Sequence, residues 1–295
     1  MTDFVLPEGT HVGHAHLQVS DLEQALGFYR DLLGFRQVGT DGPKAMLSAT
    51  GRAPYHFVLT ERPGARRKPS RTTGLYHVAI RFPSRQALAR AFRRLVTHEW
   101  PFQGFADHLV SEALYLADPD GNGLELYVDR PRKQWTQRDG QIEMSTDPLD
   151  VEALLAESAV DAAPWTGVHP GTDVGHVHLH VSDLARAKAF YSGLLGLDVT
   201  QQNYPGALFL SAGGYHHHLG VNVWAGLGAP PPPPDAVGLL SFSFQLPDEI
   251  AWSVLQGRVR AAGLEVEDLH DYDYAQGVLI RDPDGNGVEL LVKKR

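Results

Sequence analysis

The chain contains an internal duplication, and this feature constrains its fold more than any other. The motif GHAHLQVSDL at 13–22 returns as GHVHLHVSDL at 175–184, and DPDGNGLEL at 118–126 returns as DPDGNGVEL at 282–290. The two pairs of motifs are separated by nearly the same number of residues. The repeated unit therefore includes both motifs and everything between them, and each copy is large enough to be a domain.

Each copy also contains two similar halves. In the first copy, about 10–130, a strand predicted at 12–19 and another at 75–82 each lead into an amphipathic helix and then into further strands. Ser20 and Glu23 have the spacing of a capping box at the start of the first helix. The pattern predicts an α+β fold made of four βαβββ modules in tandem.

The duplication predicts two domains, an N-terminal one over 1–132 and a C-terminal one over 171–295. The connection between them, 133–170, contains DPLDVEALLAE, which predicts one short helix. We therefore expect two domains with their own cores, joined by a linker.

Charge and composition argue against several classes of function. The formal net charge is −9 and the one short basic patch, at 62–71, is typical of a solvated loop, so we expect no nucleic-acid partner. No apolar run approaches the roughly 18 residues of a membrane span, and the first residues do not form a signal peptide. The chain has no cysteine. We therefore expect a cytoplasmic protein that binds any metal through histidine and carboxylate.

The predicted strands carry histidines and one buried carboxylate. His14 lies on the strand at 12–19, His77 on the strand at 75–82, and Glu125 in the strand GLELYV. A carboxylate between apolar strand residues needs a partner. Two imidazoles and one carboxylate suit Fe(II) with open coordination positions, and Mn, Zn, Ni or Co would fit the same donors. We predict one metal site at these three residues, although a strand histidine taken alone is more often structural.

The triplet His216–His217–His218 is a second concentration of histidine. If it lies on a strand it cannot act as one ligand set, because neighbouring strand residues point to opposite faces. At most His216 and His218 share a face. Structural hydrogen bonding is the favoured interpretation, and a second metal site is the alternative.

Together these segments resemble the vicinal oxygen chelate superfamily, which has the glyoxalase/bleomycin resistance/dioxygenase fold. Within it, they resemble the two-domain extradiol ring-cleavage dioxygenases of the catechol 2,3-dioxygenase type. The segments that carry the resemblance are GHAHLQVSDLEQALGFYRDLLGF, GLYHVAIRFPSR, DHLVSEALYLADPDGNGLELY, GHVHLHVSDL, GGYHHHLGVNVW and DPDGNGVELL. Nearly the whole chain is covered except the central connection.

The resemblance implies a single Fe(II) held by His14, His77 and Glu125, where dioxygen would cleave a catechol-type ring beside its two hydroxylated carbons. Serine replaces the middle ligand in the second copy, so that half is expected to be non-catalytic. The matching positions there are His176, Ser241 and Glu289. This assignment departs from the better-known extradiol enzymes, in which the C-terminal domain is the catalytic one.

The resemblance also implies a histidine and a tyrosine beside the metal that handle substrate protons. His108 in DHLVSE and Tyr115 in the following strand match these positions, and His56 in YHFVL is a further candidate for the acid–base role. The alternative for Tyr115 is an ordinary core tyrosine.

Two other functions stay open, because a fold does not fix a function. A glyoxalase-like isomerase or lyase would use the same chelation without oxygen. Such sites usually add a second carboxylate, and the natural position near Leu59 holds none, although Glu61 is close. The other alternative is a non-catalytic protein that binds a small aromatic ligand. The expected partners are a small aromatic diol and dioxygen, and assembly into a homo-oligomer is possible.

Overall fold

The structure is a computed structural model and describes residues 4–158, 163–270 and 272–294. Within these residues, two eight-stranded sheets and one two-stranded hairpin contain the strands. In chain order the strands are β1 His11–Val19, β2 Arg36–Asp41, β3 Lys44–Ser48, β4 Phe57–Glu61, β5 Gly74–Phe82, β6 Phe102–Asp107, β7 Ser111–Ala117, β8 Gly123–Asp129, β9 Gln137–Arg138, β10 Gln141–Ile142, β11 Asp173–His180, β12 Asp198–Gln201, β13 Ala207–Ser211, β14 Leu219–Asn222, β15 Gly238–Leu246, β16 Glu267–Leu269, β17 Ala275–Arg281 and β18 Gly287–Lys293.

The helices are short and lie between the first and second strands of each module or in the connection. They are α1 Leu22–Leu26, continued by a wider turn over Gly27–Leu32; α2 Arg85–Thr97; α3 Val151–Glu157; α4 Leu184–Lys188, continued over Ala189–Leu194; and α5 Glu249–Ala261. Each of the four modules has one helix after its first strand. The predicted α+β fold of four tandem βαβββ modules is confirmed, and α3 is the short helix expected in the connection. No helix that the structure describes has the length and apolar character needed to cross a membrane.

The strands of each large sheet come from both copies of the repeat. β1 pairs antiparallel with β15, so the first and fourth modules share a sheet of order β16-β17-β18-β15-β1-β4-β3-β2. β5 pairs antiparallel with β11, so the second and third modules share a sheet of order β12-β13-β14-β11-β5-β8-β7-β6. We name these the 1–4 sheet and the 2–3 sheet. The ranges 1–132 and 171–295 therefore mark the two copies of the repeat, and not the two sheets.

The start of the first helix differs in detail from the prediction. Asp21 is the cap, and its side chain accepts the backbone N–H of Gln24. The hydroxyl of Ser20 instead donates to Asp120 in the DPDGNG turn, at 2.5 Å. Aspartate and serine are similarly good caps, so the sequence alone could not choose between adjacent candidates.

The core lies between the apolar faces of the sheets and the helices that cover them. On β1, Ala15, Leu17 and Val19 are buried in this core, as the predicted alternation requires. Since alternate strand residues point to the other face, β1 and β11 turn their histidines away from the core. The polar clusters described below lie on that second face of each sheet.

Candidate metal centre and active site

The 2–3 sheet buries a cluster of two histidines and one glutamate. Glu125 Oε2 on β8 lies 3.0 Å from His77 Nε2 on β5 and 3.2 Å from His176 Nε2 on β11. The donor atoms of the three side chains lie within 4.8 Å of one another, and all three side chains are buried. Two imidazole nitrogens and one carboxylate at this spacing can hold a divalent metal ion.

The register of the sheet brings these side chains together. β5 lies between β8 and β11, and Ala79 of β5 is aligned with both Glu125 and His176. Because its side chain is one methyl group, Ala79 leaves space between the larger donors on either side. A larger residue at this position would fill the floor of the cluster.

The cluster contains polar atoms that have no hydrogen bond to satisfy them. Among the described residues, neither His77 Nε2 nor His176 Nδ1 makes a regular hydrogen bond, and both are buried. The His77 nitrogen lies close to the Glu125 carboxylate, but without the angles of a hydrogen bond. Leaving buried polar atoms unpaired is costly. A metal ion between these donors would satisfy the His77 nitrogen.

The protonation states in the cluster also suit a metal. Burial raises the pKa of Glu125, but the neighbouring His176 and His77 outweigh it and hold that pKa well below its usual value. Burial lowers the pKa of His176 to about 4, despite the opposing effect of Glu125. At neutral pH the cluster therefore offers a carboxylate and a neutral imidazole, which are the forms that bind metals.

The third donor beside His77 and Glu125 is His176, and not His14 as expected from the sequence. His14 lies in the 1–4 sheet, where its Nε2 is 3.3 Å from Glu289 Oε2. The physical reason is the pairing of the first strands, because β1 pairs with β15 and β11 pairs with β5. The two histidines hold the same place in the repeat, and only strand pairing decides which one meets His77.

Hydroxyl groups occupy the equivalent cluster in the 1–4 sheet. Tyr272 Oη lies 3.0 Å from His14 Nε2 and donates to Glu289 Oε2 at 2.8 Å. Ser241 stands at the position of His77 and donates to Glu289 Oε1 at 2.5 Å. His14 Nδ1 lies 3.0 Å from Ser243 Oγ. Hydrogen bonds therefore satisfy the side chains of this cluster without a metal. The matching residues His14, Ser241 and Glu289 form an incomplete set of metal ligands, because serine replaces the second histidine.

A cavity of about 380 Å³ opens beside His77 and Glu125. This volume is in the range of small-molecule sites. Residues of the connection form part of the lining, so the predicted linker also shapes the site. These are Met144, Ser145 and Thr146.

The predicted proton-handling residues His108 and Tyr115 both line this cavity. Tyr115 pairs directly with Glu125 across β7 and β8, and its Oη lies 2.6 Å from His108 Nε2. His108 Nδ1 lies 2.6 Å from the carbonyl oxygen of Ser145. A carbonyl can only accept, so in the neutral ring Nδ1 donates to it and Nε2 accepts the Tyr115 hydroxyl. Burial first, and then the charge of Glu125, raise the pKa of Tyr115 well above its usual value and keep it protonated.

His56, the further acid–base candidate, lies just before β4 of the 1–4 sheet and is not among the residues that line this cavity. Its Nδ1 accepts the backbone N–H of Ala49 at 3.0 Å, and burial lowers its pKa to about 4. His218 makes the same contact in the third module, where its Nδ1 accepts the N–H of Ala212 at 3.2 Å. A contact repeated in both copies indicates a structural role for both histidines.

His217 lines the cavity and was missed by the sequence reasoning. Its ring packs on His176 with 4.1 Å between the ring centroids. His217 Nδ1 lies 2.8 Å from His216 Nδ1, and His216 Nε2 lies 2.9 Å from Asp129 Oδ1. Because the carboxylate only accepts, His216 donates from Nε2 and its Nδ1 accepts from His217. His217 is thereby held with Nε2 as the acceptor.

The histidine triplet was interpreted as strand residues, whereas the structure places it in the loop before β14. Alternation between two faces does not apply in a loop. His217 can therefore line the cavity while His216 and His218 bond to the protein. No signal in the residue pattern separates these three roles.

The fold and the cluster define the class of protein. The chain matches the Glyoxalase/Bleomycin resistance protein/Dioxygenase superfamily over residues 11–126 and 173–290. It belongs to this superfamily. The chain is also 46% identical over 268 residues to the catechol-2,3-dioxygenase of Bacillus subtilis (strain 168), covering 90% of this chain and 92% of that protein. It is thus a homologue of catechol-2,3-dioxygenase.

Solved structures show the same fold at much lower sequence identity. Glyoxalase I from Zea mays has a TM-score of 0.56 at 16% identity, covering 96% of this chain and 92% of that chain. A protein of Bacillus subtilis subsp. subtilis strain 168 with a provisional dioxygenase assignment has a TM-score of 0.67 at 14% identity, covering 99% of this chain and 87% of that chain. These likenesses concern the fold alone.

Proposed function

We propose that the protein is an extradiol dioxygenase, which opens the ring of a catechol-type aromatic with dioxygen at a single Fe(II) held by His77, Glu125 and His176. The observation that carries the proposal is the buried cluster of two histidines and one carboxylate, in which His77 Nε2 is left without a regular hydrogen bond among the described residues. The 46% identity to a catechol-2,3-dioxygenase supports the choice of reaction.

The three donors fit a ferrous ion. When bound, Fe(II) would supply open positions for the two vicinal oxygens of a catechol and for dioxygen, and would lower the pKa of the phenol. Mn, Zn, Ni or Co would accept the same ligands. The choice of iron rests on the donor set and on the activity for which the relative is named.

The surrounding side chains can bind and orient the substrate. Tyr115 stays protonated and donates its one proton to His108, so the Tyr115 oxygen can accept a hydrogen bond from a substrate hydroxyl. His217 is neutral, because burial foremost lowers its pKa well below the usual value. Its Nε2 can accept the proton of a substrate hydroxyl and return it later. His108 thus orients the Tyr115 hydroxyl, and His217 accepts the substrate proton.

The glyoxalase-like alternative is less well supported. Among the described residues the cluster contains one carboxylate, Glu125, whereas a site of that kind usually has two. Glu61, the acidic residue considered for this role, lies on β4 in the 1–4 sheet. A cytoplasmic location and assembly into a homo-oligomer remain predictions from the sequence.

The experiment that tests the proposal measures oxygen uptake. The protein is loaded with Fe(II) without oxygen, catechols are added, and uptake is recorded together with the absorbance of a ring-opened product. We expect uptake with the wild type, none with His77→Ala, and full uptake with Ser241→Ala, which alters the equivalent position of the other cluster. Stoichiometric iron binding without uptake from any catechol would overturn ring cleavage and favour an oxygen-independent lyase or isomerase.

A further inference from the structure

We infer that this site selects an uncharged catechol that carries an apolar ring substituent, and rejects a catechol that carries a carboxylate. The inference rests on the proposed ring-cleavage function and specifies its substrate class. Two features of the 380 Å³ cavity support the inference. One wall of the cavity is aromatic, and its lining contains no lysine or arginine among the described residues.

One wall of the cavity is a continuous series of aromatic rings. It begins at His217 and continues through Phe209 and Tyr204 to Trp224 and Tyr76. Neighbouring ring centroids along it are 4.9, 5.9, 6.3 and 5.5 Å apart. The wall reaches the surface at Trp224, which is 45% exposed. A flat ring and an apolar substituent would pack along this wall and leave water.

The part of the lining that the structure describes lacks a lysine or arginine that could form an ion pair with an anionic substituent. Among the described residues that line the cavity there is no lysine or arginine, and the one carboxylate is Glu125. Moving a carboxylate from water into such a cavity without a cation is strongly unfavourable. Arginine is the usual partner where a protein recognises a carboxylate. The formal net charge of −9 also disfavours the approach of an anion.

Nearby cations are engaged elsewhere. Arg130 pairs with Asp107 at 2.5 Å and with Glu112 at 3.0 Å. Lys68 lines a separate cavity of about 610 Å³ and donates to the carbonyl oxygen of Thr72. Supplying a cation to the 380 Å³ cavity from Arg130 or Lys68 would therefore require breaking an existing contact.

The test compares catechols that differ in one substituent. The Fe(II)-loaded protein is assayed with 4-methylcatechol, 3-phenylcatechol and 3,4-dihydroxybenzoate, and binding of each is measured by calorimetry without oxygen. We expect kcat/KM and affinity for 3,4-dihydroxybenzoate to be lower by at least about tenfold, which corresponds to about 1.4 kcal/mol. Comparable values for the carboxylated and methylated catechols would overturn the inference and leave ring cleavage intact.

A charge variant makes the test specific to the cavity. Phe105→Arg places a cation on the lining, and Leu227→Arg adds the same charge at a residue that is 79% exposed and outside the lining. We expect only Phe105→Arg to raise kcat/KM for 3,4-dihydroxybenzoate, by about tenfold. An equal gain in both variants would contradict the inference. If no catechol is cleaved at all, ring cleavage fails, and the binding measurements still decide which substituent the cavity accepts.

Discussion

Ser241 and His77 hold the same place in two modules, and this difference helps to separate the two buried clusters. The Ser241 hydroxyl donates to Glu289, and Tyr272 donates to the other oxygen of the same carboxylate. At the other cluster, His77 Nε2 faces Glu125 without a regular hydrogen bond among the described residues. Hydrogen bonds within the protein therefore satisfy Glu289 in the 1–4 sheet. In the 2–3 sheet, a bound metal ion would satisfy His77 Nε2.

Two tyrosine variants test this difference. Tyr272→Phe removes a donor from the buried Glu289, so we expect the free energy of unfolding to fall by roughly 1–3 kcal/mol with catechol turnover unchanged. Tyr115→Phe removes the hydroxyl beside Glu125, and we expect kcat to fall by about 10²-fold. Urea unfolding and oxygen uptake measured on both variants check the pair. A loss of turnover in Tyr272→Phe would indicate that the reaction takes place at the 1–4 sheet, and would contradict the assignment to the 2–3 sheet.

The bond between His216 and His217 makes a second prediction at this scale. His216→Phe keeps the shape of the ring but removes the acceptor that orients His217. We expect kcat to fall by about tenfold, with the iron content and KM for catechol unchanged, because a misplaced group slows the chemical step. Tyr215→Phe is the control, since it removes a donor to Asp129 and leaves the His216–His217 bond in place. Loss of iron from His216→Phe would instead indicate that His216 helps to hold the metal ligand His176 in place.

At the scale of elements, strand pairing decides which residues form the site. The repeat and its periodicity predict the four modules and place His77, Glu125, His108 and Tyr115 on or beside strands that line the cavity. They do not predict which first strand pairs with which, because each presents the same backbone edge and the same histidine. The second and third modules pair through β5 and β11, and the first and fourth pair through β1 and β15. The local sequence therefore could not show that His176, and not His14, lies beside His77 and Glu125.

Separate expression of the two parts tests the pairing. The fragment 1–132 contains His77 and Glu125 but lacks β11 and His176. We expect it to bind no stoichiometric Fe(II), and we expect co-expression with 133–295 to restore binding, because the 2–3 sheet is then complete. Iron content and circular dichroism of the purified samples provide the measurement. One tightly bound iron in the isolated fragment would contradict the pairing of β5 with β11.

At the scale of the whole molecule, burial lowers the pKa of several of the 15 histidines. Burial is the largest cause in each case. It lowers the pKa of His56 to about 4, that of His218 to about 3, and that of His178 well below the usual value. His178 lies on the 2–3 sheet, and His56 and His218 lie just before strands of the 1–4 and 2–3 sheets, so the effect extends through the fold. The sequence shows the number of histidines but not their burial, which depends on the packing.

The stability of the metal-free protein should therefore depend on pH. Below the ordinary histidine pKa of 6.5 these histidines bind protons in the unfolded chain, whereas in the folded chain His56 binds one only near pH 4 and His218 only near pH 3. The unfolded state thus holds more protons in this window, and the free energy of unfolding falls as the pH is lowered, by at most about 1.4 kcal/mol per pH unit for each histidine.

Urea unfolding followed by circular dichroism at about pH 7.5, 6 and 5 checks this dependence. His56→Gln keeps an acceptor for the Ala49 N–H and removes one titrating group, so its dependence on pH should be shallower than that of the wild type. Equal stability of the wild type across these pH values would show that the buried histidines do not control it.

The most direct test of the whole account is the iron content of His176→Ala and His14→Ala, which alter equivalent positions in the two copies. After anaerobic loading, we predict one Fe(II) per chain and catechol-dependent oxygen uptake in the wild type and in His14→Ala. We predict neither in His176→Ala. Retention of iron and uptake by His176→Ala, with their loss in His14→Ala, would contradict the assignment of the site to His77, Glu125 and His176.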